Sequence, residues 1–201
     1  MKNTNTKQVI IGLTGPIASG KNEVCKILRR RGAYVIDADK IGHEVMRPQS
    51  DVWHALVKTF GSKILKPGGG INRRKLGEIV FGNPRLLKKL NKITHPAMKE
   101  EVIRESRKQK AVSSKLIIIN AAVLKEIGFI PTVDQVWIVL AGKKKRLNRL
   151  VKKGLSREKA LARIKAQKAD REYLKIADVV IRNDFNIKKL KVKVLSLIPN
   201  P

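Results

Sequence analysis

The apolar positions of the chain fall into two patterns. Short unbroken runs occur at Val9-Ile-Ile-Gly-Leu13, Lys115-Leu-Ile-Ile-Ile-Asn120 and Gln135-Val-Trp-Ile-Val-Leu140. Runs of that length predict strands buried on both faces, as in a parallel sheet. Two shorter runs, Ala33-Tyr-Val-Ile-Asp-Ala-Asp39 and Ala177-Asp-Val-Val-Ile-Arg-Asn183, predict two further strands. Elsewhere the apolar residues recur at helical spacing. Val24, Ile27 and Leu28 follow the first run with Arg31, and Gly32 is placed to cap that helix. Ile187, Leu190, Val194 and Leu197 predict a closing amphipathic helix.

Residues 40–113 carry helical patterns and no convincing strand. Ser50 is placed to cap a helix bearing Val52, Trp53, Leu56, Val57 and Phe60, which Gly61 closes. Pro67-Gly-Gly-Gly70 predicts a loop, and Leu76, Ile79 and Val80 a short helix. Asn83-Pro84 opens another helix with Leu86, Leu87 and Leu90 on its apolar face. His95-Pro96 is expected to break the chain before a last basic helix ending near Gln109. This is a helical insertion between strands of the main sheet, and Arg73, Arg74 and His95 are its candidate anion or acceptor contacts. Solvated surface for the arginines, and a local cap for the histidine, is the alternative.

The chemistry concentrates where the first strand ends. Gly15 and Gly20-Lys21 have the G-x-x-x-x-G-K spacing of a phosphate-binding loop, between a strand and a helix as that motif requires. Such a loop turns backbone N–H groups inward and ends at a helix N-terminus, an anion site suited to polyphosphate. Lys21 adds a mobile positive charge. The position after the lysine is normally Ser or Thr, a magnesium ligand; here it is Asn22, whose amide oxygen is also a hard donor. Asp37 and Asp39 end the second strand, so both are expected beside the loop and on one side of an extended chain. A carboxylate there can take a proton from an alcohol or hold magnesium through water. A solvated turn with a helix N-cap is the other reading.

Length and composition set the bounds. The 201 residues fit one α/β domain with an inserted subdomain, and no apolar run approaches the ~20 residues of a membrane span. The polar segment Met1–Gln8 carries no signal-peptide pattern. Cys25 is the single cysteine, which excludes an internal disulfide and agrees with a reducing cytoplasm. A net charge of +29 is read as solvated surface lysine or, alternatively, as a field that gathers polyanions, whether nucleotides, coenzymes or nucleic acid. Ala141 to Lys168 holds twelve Lys or Arg and one acidic residue, Glu158. Within it, two basic helices around Gly154, the second capped by Ser156, read as a hinged lid that carries arginine onto a transferring phosphoryl group, or else as an exposed basic hairpin. The aromatic residues sit in apolar runs rather than among the basic clusters, which argues against a nucleic-acid surface of stacking type.

In this order the pieces resemble the dephospho-coenzyme A kinase family over nearly the whole chain. The stretches are Gly12-Leu-Thr-Gly15 with Ser19-Gly-Lys21, Val35-Ile-Asp-Ala-Asp39, Asn72-Arg-Arg-Lys-Leu76 with Ile79-Val-Phe81, and Thr94-His-Pro96. They continue with Gly154-Leu-Ser156, Ala162-Arg-Ile164 with Gln167, and Ala177-Asp-Val-Val-Ile181 with Asn183. The resemblance implies transfer of the ATP γ-phosphate to the ribose 3′-hydroxyl of dephospho-CoA, with Mg2+. It implies a P-loop NTPase-type three-layer α/β/α fold: a nucleotide core (1–42, 114–142, 169–201), a helical CoA domain (43–113) and a lid (143–168). By position, Asp39 is the implied general base, Lys21 the phosphate clamp and Arg149 the lid arginine. Arg73 and His95 are implied CoA-domain contacts. The implied nucleotide site takes in Thr14, Gly15, Ala18, Ser19, Gly20, Lys21, Asn22 (with the metal), Glu23 and Asn183 near the adenine.

The sequence also departs from the family pattern. Pro16 replaces a loop glycine, removing a donor. Asn22 and Glu23 replace a Ser/Thr pair, and Asn120-Ala-Ala-Val-Leu124 stands for an Asp followed by Pro-Leu-Leu. Arg146 replaces a glutamine and Lys153 a second lid arginine, whose bidentate fork lysine lacks. These changes bear on metal binding and turnover more than on ligand identity. Two readings compete with this one: a P-loop kinase for another nucleoside or nucleotide, and a basic nucleic-acid-binding protein with a weakened kinase site.

Overall fold

A computed structural model describes residues 8–80, 82–111 and 115–198. The polar N-terminal residues 1–7, Phe81 of the resembling stretches and the domain boundary near residue 113 lie outside the described residues. The chain divides into two compact units, residues 1–36 with 106–201, and residues 37–105.

The first unit is built on a five-stranded sheet. Its strands are β1 (Val9–Thr14), β2 (Tyr34–Asp37), β3 (Leu116–Asn120), β4 (Gln135–Leu140) and β5 (Val179–Arg182), in the spatial order β2, β3, β1, β4, β5. β1 is central. It runs parallel to β3 with Val9 opposite Leu116 and Leu13 opposite Asn120, and parallel to β4 with Thr14 opposite Ile138. β5 continues the parallel set, with Trp137 opposite Val179. β3 is buried at every position, as an unbroken apolar run between two helical layers requires.

Alternate residues of β1 face opposite layers. Ile11 and Leu13 join Val24, Ile27 and Leu28 of α1 (Lys21–Arg29) and Leu190 and Val194 of α10 (Ile187–Leu195) in one core cluster. Gly12 faces Leu124 of α6 (Leu124–Ile127) instead. Trp137 lies wholly in the core, and its indole N–H donates to Gln135 Oε1 at 2.9 Å. The basic segment forms α7 (Lys143–Val151) and α8 (Arg157–Lys165), packed on each other through Leu147, Leu150, Ala160 and Ile164. Ser156 caps α8 by accepting from the Lys159 N–H, as the sequence predicts. The short helices α6 and α9 (Asp170–Leu174) carry no pattern long enough to announce them.

The second unit is helical: α2 (Ala38–Glu44), α3 (Asp51–Phe60), α4 (Arg73–Val80) and most of α5 (Pro84–Ala111). Val52, Leu56, Phe60, Ile64, Ile71, Leu76 and Val80 form its core. An antiparallel bridge between Leu65 and Ile71 closes the Pro67–Gly70 loop.

Two expectations are corrected. The second strand ends at Asp37, not Asp39. Asp37 caps α2, its carboxylate accepting from the Lys40 N–H at 3.1 Å, and Asp39 stands in the first helical turn. The two carboxylates therefore do not share a side of an extended strand. The second correction concerns His95-Pro96, which does not break the chain: α5 runs through Pro96. A proline inside a helix loses one ladder bond and costs about 3 kcal/mol. Met98 and Val102, both buried beyond it, contribute about 1.5–3 kcal/mol each. Leu90, Ile93 and Ala97 on its two sides pack against the same core. Burial outweighs the lost bond.

Candidate active site

Every functional part of the first unit hangs on the turn between β1 and α1. Gly15 has φ +142°, and a Cβ there would lie 2.2 Å from the Val139 carbonyl oxygen of β4, so only glycine fits. Pro16 contributes no N–H. The Ile17 N–H donates to Gln167 Oε1 at 2.7 Å. Ala18 is left-handed at φ +58°, and Gly20, at φ +109°, is the N-cap of α1. The N–H groups of Ala18, Gly20 and Asn22 donate to no acceptor among the described residues. They leave free donors beside the positive end of α1, an arrangement that favours an anion.

Side chains close around this turn. Lys21 Nζ donates to the Gly15 carbonyl at 2.7 Å, which holds the ammonium at the loop's rim. Arg149 Nη1 donates to the carbonyls of Ala18 (3.0 Å) and Ser19 (2.9 Å), and Nη2 to the carbonyl of Asn183 (2.9 Å). Asn183 is buried, and its Nδ2 donates to the Ser19 carbonyl at 2.8 Å. The Thr14 hydroxyl lies under the loop and donates to the Ala122 carbonyl at 3.3 Å. Outside the loop a cavity of about 530 Å3 opens, its lining including Gly20, Lys21, Asn22, Arg149, Lys152 and Lys153. Phe185, Ile187 and Leu190 line it as well. The lining thus combines cations with apolar side chains.

The family model for dephospho-CoA kinase matches residues 9–189. The chain belongs to the dephospho-CoA kinase family. It is 42% identical over 185 residues to the dephospho-CoA kinase of Dehalococcoides mccartyi, covering 90% of this chain and 92% of that one. A crystal structure from Thermus thermophilus matches with a TM-score of 0.79 at 28% identity, covering 96% of this chain and all of that one. The dephospho-CoA kinase of Campylobacter jejuni matches with a TM-score of 0.69 at 26% identity over 94% of both chains. The three-layer parallel α/β fold is that of these kinases.

In this dephospho-CoA kinase family member, the first unit brings Ala18, Gly20, Lys21, Asn22, Glu23, Arg149 and Asn183 to one cavity. Ser19 is fully buried behind it. In the second unit, Asp39 and Arg73 share a smaller cavity of about 200 Å3 with His43, Asn91 and Thr94. His95, half-buried on α5, follows the lining Thr94 but does not itself line that cavity. Sequence reasoning missed Phe185, Ile187 and Leu190 as site residues; their sole signal was a position just after Asn183. It also missed His43, one helical turn beyond Asp39, and Asn91, one turn before His95.

Magnesium fits the donor set in one form only. Among the described residues no three His, Cys, Asp or Glu side chains form a metal cage. Asn22 lines the cavity, and Asn120 Oδ1, buried at the carboxyl end of β3, has no hydrogen-bond partner among the described residues. An amide oxygen at the cavity is a weak ligand by itself, so it fits only a Mg2+ held mainly by phosphate oxygens and water.

Proposed function

We propose that this chain transfers the γ-phosphate of ATP to the ribose 3′-hydroxyl of dephospho-CoA, giving coenzyme A and ADP. The observation that carries the reading is the phosphate loop, with unsatisfied N–H groups and Lys21 at the mouth of the cation-lined cavity, in a chain of this family. The triphosphate sits against the loop and the N-terminus of α1. The adenine lies toward Asn183 and Phe185. Arg149 spends three N–H groups on the loop and Asn183 carbonyls, which leaves two of its five donors for a transferring phosphoryl. The basic hairpin of residues 143–168 is the lid, and the unit of residues 37–105 holds the acceptor. Asn22 would hold the Mg2+, which when bound would neutralise phosphate charge.

Asp39 is the general base. As the 3′-oxygen bonds to the γ-phosphorus, the bond from that phosphorus to the β,γ-bridging oxygen breaks and ADP leaves with the electron pair. The hydroxyl proton passes to the Asp39 carboxylate. Arg73, which lines the same cavity, is placed to pair with an acceptor phosphate. A base of this kind contributes about 10²–10⁴-fold. Asp39→Asn therefore lowers kcat at least a hundredfold in a coupled ADP-release assay with dephospho-CoA, while ATP still binds. Near-normal kcat in that variant removes Asp39 from the role. Turnover of nucleosides or nucleoside monophosphates in preference to dephospho-CoA would reassign the acceptor.

A further inference from the structure

Gln167 has no part in the mechanism above, and it does not line the nucleotide cavity. Yet it makes the longest-range polar contact to the phosphate loop apart from Asn183's. Its side-chain oxygen accepts the Ile17 N–H at 2.7 Å across 150 residues of sequence. Gln167 itself lies just beyond α8, where its N–H bonds the Ile164 carbonyl, and it is half-buried.

The contact matters because the next loop residue is Ala18, one of two non-glycine residues with positive φ among the described residues. A left-handed alanine is disfavoured and persists where its surroundings over-determine it. The restraints on Ala18 are visible on both sides. The Pro16–Ile17 peptide, one unit before it, is fixed through the Ile17 N–H by Gln167. The peptide after it is fixed through the Ala18 carbonyl by Arg149 Nη1. The side chains of Ile17 and Ala18 pack against the α7–α8 cluster of Leu147, Leu150, Ala160 and Ile164. A left-handed residue in such a turn brings successive N–H groups to one side, the geometry of an anion nest. With Pro16 lacking an N–H and that of Ile17 committed, the N–H groups of Ala18 and Gly20 must do more of the phosphate binding.

We propose that Gln167 is a positioning residue of the phosphate loop: with Arg149 it holds Ala18 left-handed, so that the remaining loop N–H groups face the nucleotide phosphates. The basic hairpin thereby sets the loop from its two ends, Arg149 on α7 and Gln167 after α8. The inference rests on the nucleotide-binding reading of this loop, but not on the identity of the acceptor.

The test compares Gln167→Met, which keeps length and bulk but loses the strong acceptor, with Gln167→Glu, which keeps an acceptor oxygen. A fluorescent ATP analogue reports affinity without turnover, and thermal unfolding reports stability. Gln167→Met should weaken the analogue about three- to tenfold, the span of one net hydrogen bond. KM for ATP should rise by the same factor, with KM for dephospho-CoA unchanged, and Gln167→Glu should recover most of the loss. In an Ala18→Gly background the Gln167→Met effect should shrink below twofold, because glycine takes the left-handed conformation unaided. Three results overturn the proposal: unchanged affinity in Gln167→Met whatever its melting temperature, binding by Gln167→Glu as poor as that of Gln167→Met, or an undiminished loss beside Ala18→Gly. A wild-type protein that binds the analogue but does not phosphorylate dephospho-CoA refutes the acceptor alone, and the affinities still decide the role of Gln167.

Discussion

Gly20→Ala isolates how much of the site depends on one missing methyl group. A Cβ on Gly20 would stand 1.9 Å from Asn183 Nδ2 and 3.2 Å from its Cγ. Asn183 cannot yield without breaking its bond to the Ser19 carbonyl, and it is 5% exposed. A buried amide left unpaired costs about 1–3 kcal/mol. The left-handed backbone at φ +109° adds about 1–2 kcal/mol for alanine. The lower entropy of an unfolded alanine returns about 0.4–1 kcal/mol. The net loss is about 2–4 kcal/mol, or about 5–15 °C in melting temperature for a chain of this length. The control is Gly69→Ala, at φ +78° with no atom within 4 Å of its added Cβ, which carries the backbone cost alone. Thermal unfolding of both, with affinity for an ATP analogue, separates the terms. Adding Asn183→Ala should relieve part of the Gly20→Ala penalty. If Gly20→Ala melts within about 2 °C of the Gly69→Ala control and binds nucleotide normally, the clash with Asn183 is not what keeps this position glycine.

Pro96→Ala restores an N–H to the interior of α5, which already runs through this position, and should stabilise the protein by about 1–3 kcal/mol in urea unfolding; no gain would mean that the helix is distorted there. Burial pushes the Tyr173 phenol above its ordinary range, with the charge of Glu126 adding to the shift. The folded state therefore keeps its proton where the unfolded chain has lost it, so stability is intact below pH ~10 and declines as pH rises further. Tyr173→Phe should flatten that alkaline limb of a melting-temperature profile, and an unchanged limb would assign it to other groups.

The strands and the loop were legible for related reasons. β1, β3 and β4 are buried between helical layers over most of their length, so their interior positions had to be apolar or glycine, with polar residues only at the ends (Thr14, Asn120, Gln135). The loop needs glycine where backbone approaches backbone, as Gly15 meets Val139. Ser50 and Ser156 announced their helices because a hydroxyl before an apolar period satisfies an orphan N–H. Asp39 was misplaced by two residues' worth of strand because Asp37 can end a strand or start a helix, and the Lys40 N–H that decides the matter belongs to a turn not yet formed in a linear reading. Pro96 misled because the compensating burial is tertiary. The bonds of Arg149 and Gln167 were invisible because they end on main-chain groups, and residue types carry no record of which carbonyl or N–H lies opposite.

The positive charge of the chain acts at two ranges. Of its 45 Lys and Arg residues, Lys21, Arg149, Lys152 and Lys153 line the cavity proposed for the nucleotide. Glu23 is the one acid on that lining, and its Oε1 accepts from Lys26 at 2.9 Å. At physiological ionic strength the Debye length is about 8 Å, so exposed charges farther than that from a bound polyphosphate act on it weakly. On the proposed reading, holding the nucleotide would draw on the few cations that line this cavity. The net charge of +29 acts instead on encounter with polyanions in general. Raising salt should therefore slow nucleotide association more than it speeds dissociation, whereas a chain whose grip came from its overall field would lose both together.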